Sequence, residues 1–403
     1  MFLQNYLHLL VYIMNKTASL INRSIINLFV IVLFSFLHIV AQGQNTTRSS
    51  SSSDTLSKFD KFNQKGEALF KVLPFPMVSY STETGSVFGL AKYNMVNLVK
   101  GDTISASSSF SELVSFSSLG QIKVVLGTSL YMGDNKYIFK GGVNYISYPE
   151  YILGVGNNVT RETVEKVVTE RVAFNNAFLV ALDDEKHIYV GIIQDYMNYL
   201  NVETDTNSFL TNNLYPGYQG GISSGFGLGA IYDTRDHKYN ATKGLYLGAQ
   251  FEVFDNITGS DFNYTSYQLE ARKFFNPWYK HVVGLQLFTQ YNAGTVPFYS
   301  LSLLGGTNRM RGYYLGAIRD KAIMDAQVEY RMHVWSIFGV VAFASAGRVA
   351  DNFGDMNLNG LWYAGGFGLR IMVDSENKAN LRIDFGYGQQ NSKTLAFGFA
   401  EAF

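Results

Sequence analysis

From about residue 74 onward, apolar and polar side chains alternate with a period of two, the pattern of strands whose two faces meet different solvents. In Leu245 to Val253, one face holds Leu245, Leu247, Ala249, Phe251 and Val253, and the other holds Tyr246, Gly248, Gln250 and Glu252. In Met324 to Met332, Met324, Ala326, Val328, Tyr330 and Met332 alternate with Asp325, Gln327, Glu329 and Arg331. Leu381, Ile383, Phe385 and Tyr387 alternate with Arg382, Asp384, Gly386 and Gly388, and Leu395, Phe397 and Phe399 with small residues. The segments run to roughly 10 to 13 residues, the length a tilted strand needs to cross a bilayer, whereas strands of soluble proteins are nearer 5 or 6.

Turn signals place strand centres near 78, 92, 109, 125, 142, 174, 193, 228, 250, 268, 287, 326, 342, 367, 384 and 399. An even number near sixteen fits a single-chain transmembrane barrel. The predicted fold is therefore all-β: an antiparallel barrel in residues 74–403. Aromatic residues at segment ends, among them Tyr131, Tyr137, Tyr148, Tyr196, Trp278, Tyr291, Trp335 and Trp362, are expected to form interfacial girdles. Short turns are predicted at Lys100-Gly101-Asp102, Gly133-Asp134-Asn135, Asp183-Asp184-Glu185, Asn256 to Gly259, Asn276-Pro277 and Asp374 to Asn377. Longer loops are expected at 149–165, 201–219, 293–319 and 348–359, on the opposite, outer side.

Composition narrows the class. Charged residues make up only 16% and aromatics 15%, which argues against an ordinary soluble domain. The equal counts of 32 basic and 32 acidic residues give no net field to attract nucleic acid. The absence of cysteine excludes disulfides, thiolate metal sites and thiol catalysis. Near the start, Lys16 and Arg23 precede an apolar run from Ile25 to Val40 that ends at Ala41-Gln42-Gly43. Residues 1–43 thus read as a signal peptide, with Met1 and Met14 both open as the start. Residues 44–73 read as a Ser/Thr-rich tether and a short segment before the barrel.

The longest predicted loop contains Leu304-Gly305-Gly306-Thr307-Asn308-Arg309-Met310-Arg311-Gly312-Tyr313. It resembles the signature loop of the BamA/TamA family of outer-membrane assembly and transport barrels, the bacterial surface antigen family, which carries an Arg-Gly-Phe/Tyr motif. Other landmarks occur in family order. Asp233-Thr234-Arg235-Asp236, followed by Gly244, is similar to the family's strand end and next strand start. Ala326 to Arg331 is similar to its strand with an inward Glu, and 366–370 and 381–386 resemble its late strands. Phe403, with Phe399 on the same apolar face, is similar to the terminal signal read by the barrel-assembly machinery.

The resemblance implies that the loop folds into the lumen and that Arg311, Gly312 and Tyr313 dock it on the inner wall. A guanidinium can donate two parallel bonds to a carboxylate, and Glu329 on the polar face of its strand is the expected acceptor, with Arg331 beside it. The alternative places Arg311 in outside solvent. Where the family usually has Phe-x-Asp-x-Gly, this chain has Phe343-Ala344-Ser345-Ala346-Gly347. Ser345 brings a hydroxyl but no charge, so docking is expected to rest mainly on Glu329. The family's polypeptide-transport-associated domains do not fit between Gln44 and Pro74, so a separate periplasmic protein is the expected partner, alongside outer-membrane lipid.

Remaining motifs lose to context. Gly221-Ile222-Ser223-Ser224-Gly225 matches GxSxG but leads into a strand rather than a helix. The histidines lack metal-ligand spacing, and neither an enzyme, a metal nor a cofactor is expected. Two functions stay open: assembly, insertion or polypeptide translocation through a seam between first and last strands, or a passive pore or surface-structural barrel gated by the 293–319 loop.

Overall fold

The computed structural model describes residues 74–81, 85–98, 105–118, 120–205, 207–375 and 378–403. The predicted signal peptide, the tether and the Lys100-Gly101-Asp102 turn lie outside the described residues. The strands in chain order are β1 (Phe75–Ser81), β2 (Gly85–Val96), β3 (Ser108–Ser117), β4 (Ile122–Met132), β5 (Tyr137–Ile152), β6 (Gly154–Val155), β7 (Glu165–Ala181), β8 (Ile188–Glu203), β9 (Gly221–Asp233) and β10 (Gly244–Phe254). They continue with β11 (Tyr264–Trp278), β12 (His281–Gly294), β13 (Ser302–Leu304), β14 (Ile318–Asp320), β15 (Ala322–Trp335), β16 (Phe338–Ala350), β17 (Trp362–Asp374), β18 (Ala379–Gly388) and β19 (Lys393–Phe399).

Sixteen of these close into one antiparallel ring in sequence order, β1 meeting β19; β13, β14 and β6 form a separate three-stranded sheet. Each predicted strand centre falls inside one of the sixteen. The alternation places the lipid face outward: Ile192, Leu228, Leu269, Phe367 and Leu369 are about half exposed or more, while their inward neighbours Ile193, Arg370 and Asp384 are buried. Closure pairs each strand of the ring with two neighbours, as a sheet that spans a membrane requires, although the β1–β19 ladder is short.

Strand ends depart from expectation in several places. Asn276-Pro277 is no turn but the last part of β11, where the register shifts between Phe275 and Trp278; the chain turns at 279–280, with Lys280 at φ +62°. The 255–263 connection holding Asn256 to Gly259 joins β10 to β11 at the long-loop end, because strand direction overrides loop length. Two expected girdle aromatics are lumenal instead. Tyr131 is buried against Ile138, Leu179 and Tyr189, and the Trp362 ring meets Tyr313 edge-on. Trp278, Tyr279 and Trp335 do stand exposed at the short-turn end.

The core is the lumen. At the long-loop end, Leu304, Met310, Tyr313 and Ile318 of the 295–321 loop pack with Leu153, Phe288, Val349 and Trp362. Phe298 and Tyr299 join Ile152, Val167, Tyr199 and Leu210. Inward glycines make room where strand and loop backbones approach. A Cβ on Gly366 would lie 1.9 Å from the Phe385 carbonyl oxygen and 2.7 Å from the Phe343 ring. Gly366→Val should therefore cost about 1–3 kcal/mol, measured as a lower temperature at which the compact, detergent-folded band converts to the unfolded one on semi-native gels.

Candidate functional site: the lumenal arginine network

The 295–321 connection leaves β12, forms the β13–β14 hairpin with register Ser302↔Asp320 to Leu304↔Ile318, and sends its tip down the inner wall. Arg311, Gly312 and Tyr313 form that tip. Arg311 is 1% exposed. Its Nη2 lies 2.5 Å from Glu329 Oε2 and its Nη1 3.0 Å from Asp384 Oδ2. The Phe343 ring sits under the guanidinium with a centroid distance of 3.7 Å. One guanidinium thus spans carboxylates on β15 and β18, with β16 supplying the aromatic face.

Gly312 is the residue that allows this approach. It has φ +135°, and a Cβ there would lie 2.7 Å from the Tyr387 carbonyl carbon. From the opposite side, a Cβ on Gly386 would lie 2.6 Å from the Gly312 nitrogen. Loop and strand backbones touch with no side chain between them. Tyr313 then fills the space above Gly388; its hydroxyl donates to the Tyr363 carbonyl at 2.6 Å and accepts from the Gln389 amide at 2.7 Å. The order Arg-Gly-Tyr reads physically as charge anchor, backbone contact and aromatic wedge.

Around Arg311 the charges form a continuous network. Glu329 also accepts from Arg331 Nε at 2.6 Å. Asp384 takes Arg370 Nη1 at 2.6 Å and Arg382 Nη1 at 3.2 Å. Arg370 reaches Glu401 at 2.7 Å. Four arginines (311, 331, 370, 382) therefore face three carboxylates (Glu329, Asp384, Glu401). The loop supplies the neutral oxygens that complete the count: Arg382 donates to the Thr307 carbonyl at 2.8 Å and to Asn308 Oδ1 at 2.5 Å. Beside it Arg309 pairs with Asp325 and stacks on Phe288.

Two expected loop partners lie elsewhere. Ser345 donates to the Ala364 carbonyl at 3.4 Å, and the second carboxylate on Arg311 is Asp384, two strands away, not a residue of β16. Arg331 turns from the loop toward the short-turn end, donating to the Ala241 carbonyl at 3.3 Å and the Phe403 carbonyl at 3.0 Å. Asp384, the second anchor, is not marked as one by the pattern of its own strand, because its role comes from the loop opposite it. The strand shows only that Arg382 and Asp384 share one polar face.

The strand-end motif closes the other mouth. Arg235 makes a two-pronged bond to Asp233, 2.9 and 2.8 Å, and lies over Tyr246, which Arg272 also approaches. Asp236 accepts from the Thr242 amide and hydroxyl and from the Lys243 amide. Partial burial raises its carboxyl, but these bonds outweigh that and hold it below the usual carboxylate range. Gly244, at φ +111°, sits where a Cβ would be 2.3 Å from the Thr234 carbonyl oxygen. The 234–243 turn folds inward: Lys238 lies 3.8 Å from the Tyr131 ring centroid, and burial pushes its amine down to about 8.

Phe403 is not on the lipid face. Ala400, at φ +62°, ends the alternation and swings 400–403 into the lumen, where Phe403 packs with Phe274, Val282 and Ala241. Phe399, the last residue of β19, stacks on Tyr93 of β2 at 4.0 Å. The β1–β2 ladder begins at Phe75↔Ala91, so Phe399 closes past the start of β1. The β1–β19 register itself holds only Tyr80↔Leu395 and Ser81↔Thr394 among the described residues, whereas β18–β19 runs from Leu381↔Phe399 to Tyr387↔Lys393. Gly221 to Gly225 lies in β9, which excludes a nucleophile elbow there.

Comparison with known proteins agrees with this architecture. Residues 87–403 match the Omp85 superfamily domain. No curated protein matches in sequence. Among solved structures, CdiB from Acinetobacter baumannii is 13% identical, with 80% of this chain and 58% of that chain covered and a TM-score of 0.53. CdiB from Escherichia coli is 11% identical, with 80% and 60% covered and a TM-score of 0.52. This chain therefore spans less than two thirds of either CdiB chain. BamA from Haemophilus ducreyi lacking POTRA domains 1-3 is 13% identical, with 90% and 81% covered and a TM-score of 0.49. The sixteen-stranded ring and the match over residues 87–403 make this chain a member of the Omp85 superfamily.

Proposed function

We propose that this barrel assembles or translocates polypeptides at the outer membrane, opening laterally between β1 and β19 so that a client strand or chain engages the exposed edges. A separate periplasmic protein delivering the client is part of the proposal. The observation that carries it is the seam. Among the described residues, a two-pair ladder between β1 and β19 is the weakest join in a ring whose other neighbours share seven pairs or more, and Pro76 removes one donor from β1. Unpaired strand edges are templates for strand addition. Superfamily membership supports the same reading.

The second reading, a passive pore, draws on a polar chamber of about 430 Å³ within the lumen, lined in part by Ser129, Lys140, Asn175, Asp195 and Tyr239. The two readings differ in what the Arg311 network does: in the first it sets the resting state of a seam, in the second it plugs a channel.

Three experiments test these readings. Tyr80→Cys with Leu395→Cys, in a chain that has no cysteine of its own, should lock the seam under oxidation and abolish complementation of a deletion strain, with recovery on reduction; full activity of the oxidised form rejects lateral opening. Arg311→Ala removes the charge anchor of the loop while Arg331 stays on Glu329 and Arg370 and Arg382 stay on Asp384, so the loop should become protease-sensitive while the barrel stays folded. A large steady conductance of that variant in planar bilayers favours the pore. Depletion of the protein should lower the amounts of other outer-membrane proteins, and unchanged amounts in quantitative proteomics count against assembly.

A further inference from the structure

Apart from the Lys92–Glu112 pair on β2 and β3, the lipid face carries a polar row that neither the seam nor the lumen explains. The ladders place Thr128 opposite Gly141, Gly141 opposite Asn176, and Asn176 opposite Gln194, one level across β4, β5, β7 and β8. Asn176 shares its face with the exposed Phe174 and Phe178, and Gln194 with the exposed Ile192, while the inward-facing Leu179 and Ile193 are buried. Both amides therefore point into the bilayer. They lie about five residues from the short turns, roughly 12–14 Å up a strand of ordinary tilt, near the middle of an apolar band about 25 Å tall.

Asn176 Nδ2 donates to Gln194 Oε1 at 2.8 Å. That bond leaves the amide hydrogens of Gln194 and the carbonyl oxygen of Asn176 facing hydrocarbon, where unmet polar groups are costly. The Phe139 ring and the Asn176 carbonyl oxygen lie over Gly141, and across β4, β5, β7 and β8 the neighbouring levels are apolar or aromatic: Leu126, Val143, Phe174 and Tyr196 on one side, Leu130, Phe139, Phe178 and Ile192 on the other. Donor and acceptor sit side by side, so the patch is complementary to itself when turned about an axis along the membrane normal.

We propose that this face is a contact between two copies of the chain within the membrane, hydrogen-bonded through Asn176 and Gln194. Side-chain amides that bond across the contact join protein segments in lipid, where apolar packing alone has no advantage over lipid tails. The patch lies well round the ring from the β1–β19 join, so pairing leaves that join open to the membrane.

The test uses the full chain in its own membrane. Because the chain has no cysteine, Asn176→Cys introduces its sole thiol; a short bis-maleimide should yield a homodimer, while Leu287→Cys, exposed on the far wall, should stay monomeric. Gln194→Cys provides the same readout should the first variant fold poorly. The double variant Asn176→Leu with Gln194→Leu should weaken dimerisation in nanodiscs by about tenfold while keeping the compact band on semi-native gels. A wild-type chain that is monomeric by mass measurement in nanodiscs, equal crosslinking at 176 and 287, or capture of a different membrane protein at 176 overturns the proposal.

Discussion

A guanidinium removed from water and shared between two carboxylates is the constraint from which the rest of this structure follows. Arg311 is held by Glu329 and Asp384 with almost no exposure. Such a charge is stable only when its partners are fixed, so the strands that bear them cannot vary in register. The glycines at 312 and 386 are fixed for the same reason, since any side chain there lifts the loop and leaves the charges apart.

Much of this was legible in the chain. Period-two alternation gave the strands their identity and positions, because each crossing separates lipid from water and the separation is repeated residue by residue. The Arg-Gly-Tyr segment and the inward Glu329 were readable from motif and face together. What stayed hidden was relation between strands. Asp384 and Glu329 lie 55 positions apart, and the curved run of ladders from β15 to β18 brings them to one guanidinium. Trp362 and Tyr131 looked like girdle residues because an aromatic at a strand end satisfies either a membrane interface or a lumenal core.

Phe403 shows the limit of pattern most clearly. Its place in the alternation assigned it to lipid, but one residue in left-handed conformation, Ala400, reverses the assignment. The reward for turning inward is specific: Glu401 reaches Arg370 and Asn380, and the Phe403 carbonyl reaches Arg331. A periodic pattern predicts faces only while the backbone stays extended.

That inward turn links the two ends of the lumen. Glu329 forms an ion pair with Arg311 of the long loop at one oxygen and accepts from Arg331 at the other, and Arg331 in turn holds the Ala241 and Phe403 carbonyls. The covering loop at one mouth and the inward turn at the other are therefore two arms of one charge network, mounted on β15, β17 and β18. The end of β19 is fixed from inside by this network, whereas with its neighbour β1 it shares two register pairs among the described residues. Because charge pairs in a low-dielectric lumen are strong when complete and costly when broken, displacement of either arm reaches the other through Glu329. The wall that bears these charges adjoins the strand at the weakest join, so the ring is most strongly braced beside the place where its own ladder is shortest.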